Sequence, residues 1–308
     1  MFKPNNKSRK TKKKKRWVNR SLIFFILLGV IYLVVFFPKA SSTLDNIHQP
    51  IEREASPKRA EKIVLEEKNP ISVLLLGVDE REDDRGRSDT MIVLTINPAD
   101  QSTKMVSIPR DTYTEIVGLD MSDKINHAYA FGGIEMSLDT TENLLDIPID
   151  YVVQLNMDGF KDIIDALDGI TVNNSFAFDG FEKGAITLTG DEALDYVRMR
   201  YQDPNGDFGR QDRQKQVIKS IMTEAVSATT LFNYPKIFDA LGKNVKTNME
   251  FNAMIDIQSN YREASKNVEQ LIFEKGTGET IGGIWYYMMD EDELAAVKDQ
   301  LKEHLQLK

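Results

Sequence analysis

The sequence predicts an α/β fold, a mixed central sheet flanked by helices and preceded by one N-terminal transmembrane helix. Three observations lead there. Short apolar runs alternate with helical periodicities over residues 70–308, a mixture that favours helices layered on a sheet in one domain of about 240 residues. An uncharged stretch follows a strongly basic N-terminus, and a polar, Ser- and Pro-containing segment separates that stretch from the first apolar run. Four regions result: a basic tail over 1–20, a signal-anchor helix over 21–38, a linker over 39–69 and a folded domain over 70–308.

The anchor is the segment SLIFFILLGVIYLVVFFP, Ser21 to Pro38. As a helix its 18 residues span roughly 27 Å, close to the hydrocarbon thickness of a bilayer. Arg16 and Arg20 flank one end, and Trp17 and Tyr32 are amphipathic aromatics suited to an interface. The Lys12 to Arg16 run holds the N-terminus in the cytoplasm by the positive-inside rule and places everything after Ala40 outside. A cleaved signal peptide is the competing reading. Its apolar core would exceed the usual stretch of roughly 7 to 15 residues, and Pro38-Lys39 is a poor approach to a cleavage site.

Charge divides the chain the same way. The first 20 residues hold ten Lys or Arg and no acid; removing them from 39 basic and 48 acidic residues leaves 29 against 48, so positions 21–308 carry a charge of −19. Such a body repels nucleic acid, which is not an expected partner, while the tail suits an anionic lipid surface. With no cysteine in the chain, disulfides and thiolate metal sites are excluded.

Ile71–Val78, Met91–Ile96 and Met105–Ile108 read as strands buried on both faces, with further strands at Tyr151–Leu155, Ile170–Val172, Val268–Phe273 and Ile284–Met288. Helical spacing appears over Ile134–Leu145, Met157–Leu167, Asp191–Val197, Gln211–Ala228 and Leu294–Leu305. No nucleotide-binding P-loop, serine-hydrolase elbow or zinc-protease motif is present. Gly276, Gly278 and Gly282 in GTGETIG miss dinucleotide spacing and read as a turn. DPNGD at 203–207 lacks the glycine placement and the Glu of a calcium loop, and His48, His127 and His304 are too scattered for a metal triad.

The chemistry sits where apolar strands end. Asp79 closes LLLGVD, and Asp89 opens the next strand in RSDT; both emerge together if the polar loop between them folds back. Two converging carboxylates call for a hard cation such as magnesium. The bland alternative is that Asp89 caps a turn and Asp79 is solvated. Arg110 follows the third strand in SIPRDT, and Arg198 and Arg200 in YVRMRY share a face only on extended backbone. Arg210, Arg213 and Gln214 open a helix on its core side, where cations oppose the helix dipole unless an anion joins them. A phosphate fits that need; pairing with Asp203, Asp207 or Asp212 is the internal alternative.

The ordered motifs LLLGVDER, RSDTMIVLTINP, SIPRDT, KINHAYAFGG, DGITV, LTGDEALDYVRMRY and GRQDRQKQV resemble the LytR-CpsA-Psr family over nearly all of residues 71–230. The resemblance implies an α/β/α catalytic domain acting on a polyprenyl-pyrophosphate-linked glycopolymer, its lipid tail in an apolar groove between sheet and helices. Asp79 and Asp89 would then hold magnesium, or manganese in its place, against the pyrophosphate. Arg110, Arg198, Arg200 and Arg210 would clamp its oxygens, with Arg87, Lys124, Asp207, Arg213 and Gln214 in support. The implied reaction is transfer of the polymer, wall teichoic acid foremost, to the muramic acid C6 hydroxyl of peptidoglycan, with Asp207 or Asp89 as the base. Pyrophosphate hydrolysis at the same site is one rival, distinguished by whether a peptidoglycan acceptor is consumed. A membrane-bound transcription regulator is a weaker one, since the anchor puts the acidic body outside the cell; a non-catalytic glycan-binding scaffold would need no arginine and aspartate constellation.

Overall fold

The computed structural model describes residues 56–59, 63–79, 86–199, 202–204, 206–225 and 244–307. The expected tail and anchor lie outside them, and among the described residues no helix is long and apolar enough to cross a membrane.

The run ISVLLLGV forms β1 (Ile71–Val78), followed by β2 (Ser88–Asn97), β3 (Ser102–Ile108) and the short β4 (Tyr113–Ile116) and β5 (Met121–Lys124). Helix α1 (His127–Leu145) leads into β6 (Tyr151–Asn156), α2 (Met157–Ala166), β7 (Ile170–Asn174), β8 (Gly184–Leu188), α3 (Gly190–Arg198) and α4 (Asp207–Ala225). The chain closes with β9 (Val245–Thr247), α5 (Phe251–Asn260), β10 (Val268–Leu271), β11 (Thr277–Ile281), β12 (Ile284–Met288) and α6 (Glu291–His304).

Six strands make one mixed sheet in the order β10-β3-β2-β1-β6-β9. β1 pairs antiparallel with β2 and parallel with β6, so the C-terminal ends of β1 and β6 open on the same edge, Val78 beside Asn156. Because strand side chains alternate in direction, β1 serves two cores. Leu74, Leu76 and Val78 pack with Ile134, Leu138 and Leu145 of α1 and Val297 and Leu301 of α6. Ile71 and Val73 face the other way, with Ile92 and Leu94, toward Ala253 and Ile257 of α5 and Ile218 of α4. A third core joins α2, α3 and α4 to the β7–β8 hairpin through Ile164, Ile170, Leu188, Tyr196 and Val217. These layers are the helix-flanked mixed sheet that the sequence predicts.

Several boundaries differ for local reasons. α1 begins at His127 rather than Ile134 and absorbs a break at Gly133 (φ 67°, ψ −146°), a conformation that glycine tolerates. The GTGETIG stretch is largely strand: β11 pairs with β12, and the turn falls one step later at Gly282 and Gly283, whose positive φ values of 59° and 86° are those a two-residue hairpin turn requires. The expected strands Ile170–Val172 and Ile284–Met288 form, but in separate hairpins. The described part of the expected linker packs on the body. Arg59 grips Asp150 with Nε and Nη2, both at 2.8 Å, and Leu65 is buried.

Candidate active site

β1 and β2 meet out of step at their site end. Gly77 pairs with Thr90 and Val78 with Ser88, so Asp89 is an extra residue opposed by none of β1. Such a bulge re-aims a side chain at a sheet edge, and here Asp89 lines the same space as Asp79, whose amide donates to the Arg87 carbonyl at 3.4 Å. The antiparallel register of β2 and β3, Met91 opposite Ile108, continues to bring Arg110 beside Asp89; its Nη1 lies 2.9 Å from Asp89 Oδ1. Arg110 Nε is 3.6 Å from Asp111 Oδ2, and Lys124 Nζ is 2.7 Å from Asp111 Oδ1. Burial works against the charge on Arg110, and Asp89 and Asp111 outweigh it, raising its pKa above the ordinary value.

From the other side come the helices. Thr189 caps α3 in a reciprocal capping box with Glu192, and Arg198 ends its last turn. On α4, Arg210, Gln214, Ile218 and Ile221 follow one another at helical spacing along one stripe. Arg198 and these four residues of α4 line a cavity of about 320 Å³ between the sheet and α2, α3 and α4. Its polar end holds Asp79, Asp89, Arg110, Arg198, Arg210 and Gln214; its walls are apolar, with Leu75, Ile92, Leu155, Phe160, Val197 and Ile221 among them. Among the described residues, three guanidinium groups therefore share the space with two carboxylates, an excess of one positive charge.

Arg213 is placed elsewhere. Three positions on from Arg210, it falls on the neighbouring stripe with Val217 and turns into the third core. Its guanidinium pairs with Asp203, donates to the carbonyls of Tyr196 (2.9 Å) and Met199, and stacks over the Phe178 ring at 5.4 Å. The internal pairing alternative holds for this residue, since its donors go to Asp203 and to the end of α3; it acts on the cavity by fixing the turn that carries Arg198. Gly209 makes the pairing possible, because a Cβ there would collide with the Asp203 carboxylate. Lys124 is likewise engaged by Asp111 and stands outside the cavity lining, and Arg87 is exposed. Arg200 and the Asp207 side chain lie outside the described residues; the Asp207 backbone begins α4.

Sequence reading missed two parts of the site. The apolar wall residues Phe160, Leu194 and Val197 carry no chemical signature, though the three-residue step from Leu194 to Val197 marks one helix face. Asp111 is the other. It sits in SIPRDT directly after Arg110, where a carboxylate beside an arginine was the available signal. As for a metal, among the described residues no three or more His, Cys, Asp or Glu side chains gather as a cage. Asp79 and Asp89 are a donor pair of the size that magnesium uses when substrate phosphates complete its shell.

With this geometry the family can be stated. The profile of the LytR_cpsA_psr family matches residues 34–303, and the chain belongs to that family. Among its relatives, the polyisoprenyl-teichoic acid--peptidoglycan teichoic acid transferase TagU of Bacillus subtilis (strain 168) is 49% identical over 306 residues, 98% of this chain and 99% of that protein. The crystal structure of B. subtilis TagU, 48% identical, covers 78% of this chain and 99% of that one with a TM-score of 0.63. A structure of TagT bound to LIIa-WTA, 33% identical, covers 84% of this chain and 100% of that one with a TM-score of 0.73.

Proposed function

We propose that this chain is a membrane-anchored, extracytoplasmic phosphotransferase that moves wall teichoic acid from a polyprenyl-pyrophosphate carrier to the muramic acid C6 hydroxyl of peptidoglycan. The observation that carries this reading is a cavity in which arginines and carboxylates stand at one end of apolar walls. That division matches a substrate with a diphosphate head and a hydrocarbon tail. The names of the relatives agree with it, and the apolar segment 21–38 behind a basic tail supplies the anchor.

In this reading Leu75, Leu155, Phe160 and Ile221 take the first isoprene units, and Arg110, Arg198 and Arg210 bind the pyrophosphate oxygens. Asp79 and Asp89 would hold magnesium, which when bound supplies further positive charge against the diphosphate. The acceptor oxygen bonds to the phosphorus that bears the polymer, the bridging P–O bond breaks, and polyprenyl phosphate leaves. The hydroxyl proton passes to Asp207 or Asp89. Arginines that face the developing charge stabilise it before the reaction begins, so most of the acceleration comes from positioning and electrostatics.

The test uses the full chain in detergent with magnesium and a short-chain polyprenyl-pyrophosphoryl glycan, and measures polyprenyl phosphate released. Arg198→Ala and Asp89→Ala each lower release by about a hundredfold; full turnover in both would refute the assignment. Adding peptidoglycan oligomer and detecting a glycan phosphodiester separates transfer from hydrolysis.

A further inference from the structure

The β11–β12 hairpin stands apart from the central sheet, and its tip is apolar and open. Ile281, Ile284 and Trp285 are 38%, 48% and 50% exposed, the cross-strand pair Ile281 and Ile284 on one face of the hairpin and Trp285 on the other. Trp285 and Tyr287 lie two apart on β12 and so share a face. Across from them β11 offers glycine: the indole atoms Nε1, Cε2 and Cζ2 occupy the space a Cβ on Gly278 would need, and the Tyr287 ring that of Gly276. Both rings thus lie across bare backbone, and the outer side of the indole is left to solvent.

The hairpin is keyed to the arginine loop without lining the cavity. Tyr287 N donates to Asp111 O at 2.9 Å and its hydroxyl to Phe273 O at 3.2 Å. Tyr286 packs edge-on against Tyr113 at 5.1 Å, donates to Asp123 at 3.3 Å and takes Lys124 over its ring at 5.8 Å. The bridge between Thr112 and Tyr287 is parallel, so the hairpin tip runs back along the chain toward Arg110. The stretch from Thr280 to Met289 carries no charge, and the nearest charged residues along the chain, Glu279 and Asp290, are both acidic. Acidic flanks disfavour an anionic lipid surface. A sugar ring, with uncharged C–H faces and hydroxyl edges, complements a flat indole that has one N–H at its rim.

We propose that Trp285 is a stacking platform for the sugar faces of the acceptor, a β-linked amino-sugar strand, holding it beside Arg110 while its hydroxyl enters the polar end of the cavity. This rests on the transferase reading above. The chain has two tryptophans, Trp17 and Trp285, so full chain carrying Trp17→Phe reports on the hairpin alone. In detergent, its emission changes saturably with a soluble, peptide-free amino-sugar oligomer. In discs of brominated phospholipid, the bromine leaves it unquenched. In the transfer assay Trp285→Ala raises the acceptor concentration for half-maximal rate about tenfold, and Trp285→Phe recovers most of the loss. Emission indifferent to the oligomer, or quenched by the brominated lipid, overturns the platform and in the second case makes the tip a membrane contact. A saturable response in a protein that consumes no lipid pyrophosphate keeps the platform and sinks the transferase reading instead.

Discussion

Arg210 and Arg213 stand three positions apart on α4, and that spacing separates a residue of the cavity wall from one of the core. Arg210 lines the cavity, while Arg213, with a side chain 4% exposed, is sealed against Asp203 and the carbonyls that end α3. Removing one member of a buried ion pair strands the other charge. Arg213→Ala is therefore expected to cost about 3 to 5 kcal/mol in urea unfolding, and to reduce turnover as well by releasing the turn under Arg198. Arg210→Ala should cost turnover far more than stability. Equal unfolding midpoints for Arg213→Ala and the parent chain would show that the pair does no structural work. Residue type could not separate them. Four residues past Arg213 is the buried Val217 and four past Gln214 is Ile218 on the cavity, both apolar, and Ile221 lines the cavity while packing against the third core as well.

At the scale of elements, what was legible followed the strength of the apolar pattern. β1, β2, β3 and β6 are continuous or alternating runs whose burial is visible in composition. The β4–β5 hairpin, β8 and β11 have mostly half-exposed or exposed strands, and for them residue type carries little information, since cross-strand partners decide the pairing. The bulge at Asp89 was likewise beyond reach, because register depends on both strands together. α6 was expected, but not the role of its last residue. His304 is buried, with Nδ1 2.7 Å from Thr95 Oγ1 and Nε2 2.9 Å from Ser102 Oγ, tying the helix to β2 and β3. Burial, and then the nearby Lys104, lower its pKa below the usual 6.5. The folded state therefore prefers the neutral ring, and below pH 6.5 the unfolded chain binds more protons. The stability due to His304 is complete above that pH and falls as pH drops toward the depressed folded value. Melting temperatures between pH 5 and 8 should show this slope, and His304→Gln should flatten it; an unchanged slope in the variant would assign it to other groups.

For the whole molecule, the described part of the linker and the candidate site occupy opposite ends of β1. Asp150 takes two donors from Arg59 and two from Ser72, the backbone amide at 2.8 Å and the hydroxyl at 2.9 Å, at the strand's beginning. Lys302 and Lys58 reach Asp146 nearby and hold its carboxyl down to about 2. Arg59→Ala leaves the buried Asp150 uncompensated. It is expected to lower stability by about 3 kcal/mol and to open the 56–59 segment to trypsin; a resistant segment would show that the neighbouring contacts suffice. Asp79 lies just past the far end of the same strand. In the proposed arrangement a bilayer holds one end of this protein and a wall polymer engages the other, so tension between envelope and membrane runs lengthwise along β1. That strand is hydrogen-bonded on both sides, to β2 and to β6. A lengthwise pull loads those bonds in shear, all together, instead of unzipping them one by one from an edge, which is the loading direction in which a sheet yields last.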